Sequence, residues 1–256
     1  TGAAVTSVIE RIDYYNDSTN AVSKGSLSAV KYFVSATGNA NFGYFAGGDS
    51  PQNSDVDRID YSNDTAGGIA RALLSSNRFG TASVGNQNFG YFGGGSPGPV
   101  SLVERMDYSS DTTTSMVGNL LHQVYGRAAT GNKDYGYFAG GTPGFISDID
   151  RIDYSNDLAI ATPKGSLTVI TAPTDGKLAV AAATGNKDYG YFAGGYTGSG
   201  NISSIDRIQY SSDTATASPK GTLTEVRGST GSTGSTDELS SQLSLAPSPN
   251  LSVSGL

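Results

Sequence analysis

Apolar and polar residues alternate along this chain in short runs, and the runs repeat. In Phe42-Gly43-Tyr44-Phe45-Ala46-Gly47-Gly48, an extended backbone sends Tyr44 and Ala46 to one face and Phe45 to the other. Both faces are apolar, so both must be covered by neighbouring structure. In Glu10-Arg11-Ile12-Asp13-Tyr14, Ile12 and Tyr14 share one face, while Arg11 and Asp13 share the opposite face with Ile9. Each pattern predicts a short strand.

Both patterns keep one beat. The second returns as Asp57-Arg58-Ile59-Asp60-Tyr61, Glu104-Arg105-Met106-Asp107-Tyr108, Asp150-Arg151-Ile152-Asp153-Tyr154 and Asp206-Arg207-Ile208-Gln209-Tyr210, about 47 residues apart with a longer last step. The first recurs at residues 89–95, 135–141 and 189–195. A fixed period in this range marks a repeat architecture. In the last copy, residues 178–184 read as a first strand and Gly185-Asn186-Lys187-Asp188 as a turn, since Gly and Asn tolerate positive φ. A second strand spans 189–195, a loop 196–204 and a third strand 205–210. Ser211-Ser212-Asp213 makes a turn, and 214–223 holds a fourth strand with Gly221 at a bulge. Four short antiparallel strands per repeat describe a propeller blade. The fold class expected is all-β.

At this point the residues resemble a known repeat. A first strand ending in Gly-Asn, then Tyr-Phe-Ala-Gly-Gly, then a third strand ending in Asp-Tyr-Ser-Asn-Asp, looks like the kelch repeat, whose hydrophobic strand closes in a double glycine. Here the pairs are Gly47-Gly48, Gly94-Gly95, Gly140-Gly141 and Gly194-Gly195. The Trp usual near the end of a kelch blade is absent and the third-strand Tyr stands partly in its place, a divergent form. The same wording is similar to repeats in structural proteins of tailed phages, notably marine cyanophages. The resemblance covers about residues 5–227 and implies a kelch-like β-propeller.

Counting strands predicts five blades. Residues 5–27 supply strands three and four of one blade, and the C-terminal segment is the natural donor of strands one and two, because closure leaves no open sheet edge. Residues 1–227 are read as the propeller and 228–256 as a Gly/Ser/Thr-rich linker or closing tail. A larger ring truncated at Thr1 is the alternative. That first residue suggests processing, or a segment of a longer polypeptide.

Composition narrows the function classes. Thirty-five glycines and only 15% charged residues suit many strands joined by tight turns. A net charge of −7 repels polyanions, so nucleic acid is not an expected partner. Without cysteine there is neither a disulfide framework nor a thiolate metal site. No run of about 18 apolar residues predicts a membrane span, and no signal-peptide pattern is present.

Five recurring pairs draw a charged-ligand or a structural reading: Arg11 with Asp13, Arg58 with Asp60, Arg105 with Asp107, Arg151 with Asp153, and Arg207 with Gln209. Recurrence in every blade favours structure, an arginine buried between blades and held by the carboxylate two residues on. Gln209 would keep the hydrogen bond without the charge. The oxygen-rich segments 60–64 and 153–157 look like half a calcium loop but lack the glycine and distal Glu of an EF-hand, so turn chemistry is the better reading. His122 is the single histidine, with no titratable partner at fixed spacing, and reads as a surface or turn residue. No catalytic residue, metal or cofactor is expected. Binding is expected instead where the repeats differ: Phe145 and Tyr196 in the loops after the double glycines, and Asp175 in the inserted stretch 171–176.

The function expected is non-enzymatic: a structural or adhesion module of a phage virion, in its tail, fibre or capsid appendage. Its partners would be other virion subunits or a host-surface glycan, with self-association into a homo-oligomer also open. The alternative is a secreted, extracellular carbohydrate-binding or carbohydrate-active propeller. A third class is a cellular kelch scaffold, although no adaptor domain is attached.

Overall fold

The computed structural model describes residues 6–228 except 14, 17, 50, 113, 145, 169–181 and 198. Among them every regular element is a strand, apart from single 3-10 turns at Tyr61–Asn63, Tyr154–Asn156 and Tyr210–Ser212. No helix of the described residues is long and apolar enough to cross a membrane.

A two-stranded antiparallel sheet, β1 (Val8–Arg11) and β2 (Val22–Ser26), comes first. Four four-stranded sheets follow. The first blade is β3 (Ser35–Gly38), β4 (Phe42–Ala46), β5 (Asp55–Asp60) and β6 (Ile69–Leu73). The second is β7 (Ala82–Gly85), β8 (Phe89–Gly93), β9 (Leu102–Asp107) and β10 (Thr114–Asn119). The third is β11 (Ala128–Gly131), β12 (Tyr135–Ala139), β13 (Asp148–Asp153) and β14 (Thr162–Ser166). The fourth is β15 (Ala182–Gly185), β16 (Tyr189–Thr197), β17 (Gly200–Gln209) and β18 (Ser218–Arg227). Strands pair in chain order, so each blade is a meander. The first strands form the inner side, with β3 against β7, β7 against β11 and β11 against β15.

This corrects the expected count: there are four complete blades, not five. Residues 223–227 do not complete the first sheet. They lengthen β18 beside β17, where Arg227 faces Ile202. The remaining tail, 229–256, lies outside the described residues, as do the inserted stretch 171–176 and most of the fourth blade's first strand as read from sequence. The loop expected at 196–204 is largely strand. β16 and β17 run on as a hairpin that pairs Tyr196 with Asn201 and Thr197 with Gly200. An extra residue in β18 between Pro219 and Thr222, opposite Asp206 and Ser204, puts Gly221 at a bulge.

Repeated residues recur because the packing recurs. Tyr44, Tyr91 and Tyr137 are fully buried, and each stacks on the third-strand tyrosine of the next blade: Tyr108, Tyr154 and Tyr210, with centroids 4.8, 4.8 and 4.9 Å apart. Phe92, Phe138 and Phe192 fill the opposite face and are equally buried. The two-sided apolarity is therefore explained by blades packed face to face. Paired glycines open room for the stack. A Cβ on Gly90 would lie 2.7 Å from both the Tyr108 hydroxyl and Thr37 Cγ2.

In the first three blades the second strand ends at the double glycine, where both residues adopt positive φ, 66° and 120° at Gly47 and Gly48, whereas β16 runs on through Gly194 and Gly195. The Gly-Asn turns work differently from the expectation. None of those residues has positive φ; instead each Asn side chain accepts backbone N–H groups two and three residues on, as Asn132 Oδ1 does from Asp134 and Tyr135 at 2.9 and 3.0 Å.

Candidate functional site

Recurring charged residues meet between blades, but with partners other than those expected. Four of the five strand-three arginines cross to the next blade and bond the aspartate that ends its turn. Arg11 reaches Asp64 at 2.6 Å, Arg58 bonds Asp111, and Arg105 and Arg151 reach Asp157 and Asp213 at 2.8 Å each. A second base often joins the clasp: Lys24 on Asp64, Arg71 on Asp111 and Lys164 on Asp213. The Tyr91 and Tyr137 hydroxyls donate to Asp157 and Asp213 at 2.9 Å. Each guanidinium lies over its own blade's aromatic ring, Arg58 over Phe42, Arg105 over Phe89, Arg151 over Tyr135 and Arg207 over Tyr189, at 4.2–4.8 Å.

The aspartate two residues after the arginine does something else. Asp60 Oδ1 accepts the Ser62 backbone N–H at 2.8 Å and the Ser62 hydroxyl at 2.6 Å, and Asp107 and Asp153 repeat this with Ser109 and Ser155. Asp13 accepts from the Tyr15 N–H. The bonds from Ser62, side chain first and then backbone, hold the Asp60 carboxyl below its ordinary range, and Ser109 does the same to Asp107. Gln209 does not cap its turn in this way; its amide N–H donates to the Ser211 hydroxyl instead.

Half-burial distinguishes these arginines from what recurrence suggests. Arg105 keeps 34% of its side chain exposed, against 7% for Asp157. Arg105→Ala should therefore cost about 1–2 kcal/mol, the sum of a partly screened ion pair and a cation–π contact. A urea titration would check this. A loss above about 3 kcal/mol would mean that the pair behaves as a fully buried one.

The fully buried ions were missed by the sequence reading. Within the four-stranded blades the acid just before the arginine is the one enclosed: Asp57 pairs with Lys31, Glu104 with Arg78 and Asp150 with Arg127, all with side chains no more than 2% exposed. The same acids also receive the backbone of the incoming linker, from the N–H groups of Ser28, Ser75 and Leu121; Asp206 does so from Thr168. Burial pushes Arg78 down to about 10 and lowers Arg127 as well. The bridges Tyr32–Asp49, Phe79–Ser96 and Tyr125–Thr142 show why spacing hid these cations. Lys31 and Arg78 precede the bridging aromatic, whereas Arg127 follows Tyr125 by two positions.

Other candidates separate in space. His122 Nε2 lies 2.9 Å from Asp148 Oδ2 at the surface. In the oxygen-rich segment 60–64, Asp60 turns onto its own loop while Asp64 faces the preceding sheet. Among the described residues, no three His, Asp or Glu side chains converge to hold a metal ion. Tyr196 sits on the extended hairpin, 38% exposed. Phe145 and Asp175 lie outside the described residues. An open cleft of about 300 Å3 lies where the third and fourth blades meet, lined by Asn132, Tyr135, Lys187, Asp188, Tyr189 and Gln209 among others.

These repeated interfaces define an all-β protein of four-stranded blades in a propeller arrangement. No protein-family model and no curated protein matches the chain. Its fold does match solved structures. One described as "Structure of YjhT" aligns with a TM-score of 0.60 at 13% identity, over 77% of this chain and 67% of that one. Matches extend to 452 solved chains, so the likeness speaks for architecture and not for an activity.

Proposed function

We propose that the chain is a non-enzymatic structural or adhesion module of the divergent kelch type, displayed on a phage virion and contacting other virion subunits or a host-surface glycan. The observation that carries this reading is the use made of the repeated charges: arginines, aspartates and capping acids all serve bonds within or between blades. They are architecture, which leaves recognition to other side chains at the surface. The cleft between the third and fourth blades suits a neutral sugar, with Tyr135 and Tyr189 for apolar contact and Asn132 and Gln209 for hydrogen bonds. Asp188 is the single carboxylate in its lining, whereas glycoside hydrolysis ordinarily uses two flanking the bond. Binding without cleavage is therefore favoured over the carbohydrate-active alternative.

A glycan array probed with the full chain, alongside a reducing-sugar release assay on every glycan bound, tests the proposal. Binding without release, weakened about tenfold or more by Asn132→Ala, is the expected result. Release of sugar would move the protein to the enzymatic class. Absence of binding to any glycan would leave subunit contact as the adhesive role and remove the cleft from it.

A further inference from the structure

Aromatic side chains stand in a row at the entry to the inner strands, and one of them occupies a place that glycine fills elsewhere. Tyr32 and Phe33 lead into β3, Phe79 into β7 and Tyr125 into β11. The linkers that carry them are joined edge to edge. The Gly80 N–H donates to the Phe33 carbonyl at 3.1 Å, and the Gly126 N–H donates to the Gly80 carbonyl at 2.9 Å. The rings follow one another at aromatic-pair distances. Phe33 lies 4.9 Å from Tyr32 and 6.3 Å from Phe79, with 28° between the planes of the second pair. Phe79 meets Tyr125 edge-on at 6.2 Å. Tyr32 is 39% and Phe33 47% exposed, while Phe79 and Tyr125 are half-buried.

Phe33 is the informative member. Its φ is 55°, and the residues at its place in the next two linkers are Gly80 at 62° and Gly126 at 68°. Left-handed backbone disfavours any residue with a Cβ, and glycine adopts it at no steric cost. The fold therefore has no need of an aromatic here. An exposed ring kept at a strained position calls for a ligand more than for a packing role. The neighbouring groups say what kind. Across each bridge an aromatic is paired with a polar residue: Tyr32 with Asp49, Phe79 with Ser96 and Tyr125 with Thr142. Side chains directly opposite in an antiparallel pair share a face, so ring and polar group lie together. The Tyr32 hydroxyl donates to Asp49 Oδ2 at 3.0 Å, and its own oxygen can still accept from a ligand hydroxyl.

We infer that this row is a saccharide-binding platform distinct from the interblade cleft, taking a neutral oligosaccharide that stacks on Phe33 and Phe79. Sugar C–H groups carry partial positive charge and an aromatic face is negative, so the two attract. The hydroxyls at the sugar's edge then need polar partners close by, which Tyr32 and Asp49 supply. An acidic sugar or a polyanion is disfavoured by Asp49 and by the net charge of −7. A protein partner is disfavoured by size. At these exposures the rings present on the order of 300 Å2, against about 800 Å2 per partner in a stable protein interface. The platform and the cleft lie at opposite ends of the inner strands, since β11 begins after Tyr125 and ends before Asn132. The inference shares with the proposed function only the class of ligand, and it rests on its own residues.

The test is calorimetric titration of the full chain with neutral hexasaccharides of glucose, mannose, galactose and N-acetylglucosamine. Asn132→Ala serves as the background, so that the cleft is out of play. In that background at least one of these sugars should bind, and adding Phe33→Gly should weaken it about tenfold or more. Phe33→Gly by itself should keep or raise the melting temperature, because it installs the residue that the other two linkers use. A fall of about 2–4 °C or more would instead show that the ring is there to pack, and would overturn the inference. Binding that Phe33→Gly leaves unchanged would also overturn it. So would binding by the parent chain that Asn132→Ala removes completely, an outcome that keeps the cleft and rejects the row. If none of the sugars binds in the Asn132→Ala background, the inference fails. A sialic acid hexamer bound in their place would make the ligand acidic, and a proline decamer bound in their place would make it a peptide; either result overturns it.

Discussion

Asp150→Ala is expected to cost about 3–5 kcal/mol of folding stability, the range for breaking a buried ion pair by removing one partner. Asp150 is fully buried, accepts from Arg127 at 2.6 Å and takes the Leu121 N–H at 3.1 Å. Its loss strands a guanidinium that is 1% exposed and has no other carboxylate within ion-pair distance among the described residues. The penalty is desolvation of the orphaned cation more than the attraction lost. Converting both members to apolar residues, as Arg127→Met with Asp150→Leu, should recover much of the stability, because a packed hydrophobic pair avoids that penalty. Urea titrations of the two variants check this. A loss below about 1 kcal/mol for Asp150→Ala would show that water reaches Arg127.

Alkali should unfold the protein through its tyrosine stacks. Burial, the leading cause in each case, raises the hydroxyls of Tyr44, Tyr91, Tyr108, Tyr137 and Tyr154, that of Tyr44 to about 12. A group whose folded pKa is raised contributes stability in full below its unfolded value, near 10 for tyrosine, and loses it as pH rises through the folded value. Stability should therefore fall from about pH 10 upward as the unfolded chain sheds protons that the folded chain retains. Arg78, pushed down to about 10, acts in the opposite sense, since the folded state gives up that proton first. Lowered Arg127 acts with it, so two arginines stand against five tyrosines. The expected observation is a cooperative rise in tyrosinate absorbance coinciding with loss of the β-sheet circular dichroism signal. Smooth titration with the fold intact would count against it. The Tyr154 hydroxyl finds no hydrogen-bond partner among the described residues, so Tyr154→Phe should cost little at neutral pH and shift the alkaline midpoint upward.

Much of the architecture was legible because its causes are local and periodic. Two-sided apolarity in Tyr44, Phe45 and Ala46 required cover on both faces, and repetition supplied it as stacked sheets. The double glycines marked the close of the second strand in the first three blades, because backbone at positive φ favours glycine. What was misread depended on distances that run through space. Asp13, Asp60 and Asp107 sit two residues from an arginine on one strand face, which made them natural partners. They instead satisfy backbone N–H groups at the following turn, where an acceptor is needed whatever the neighbouring blade does.

That this chain is a series of antiparallel strand meanders follows from contiguous residues alone, because strand period, turn chemistry and repeat length are local properties. Tertiary structure alone decided how the charges pair. Arg58 to Asp111 and Arg78 to Glu104 join residues 53 and 26 positions apart, and which carboxylate a cation meets follows from how one sheet is rotated onto the next. Blade number was likewise a tertiary matter. Residues 223–227 could extend either of two sheet edges, and the hydrogen bonds that β17 offers along its lengthened hairpin drew them to the fourth blade.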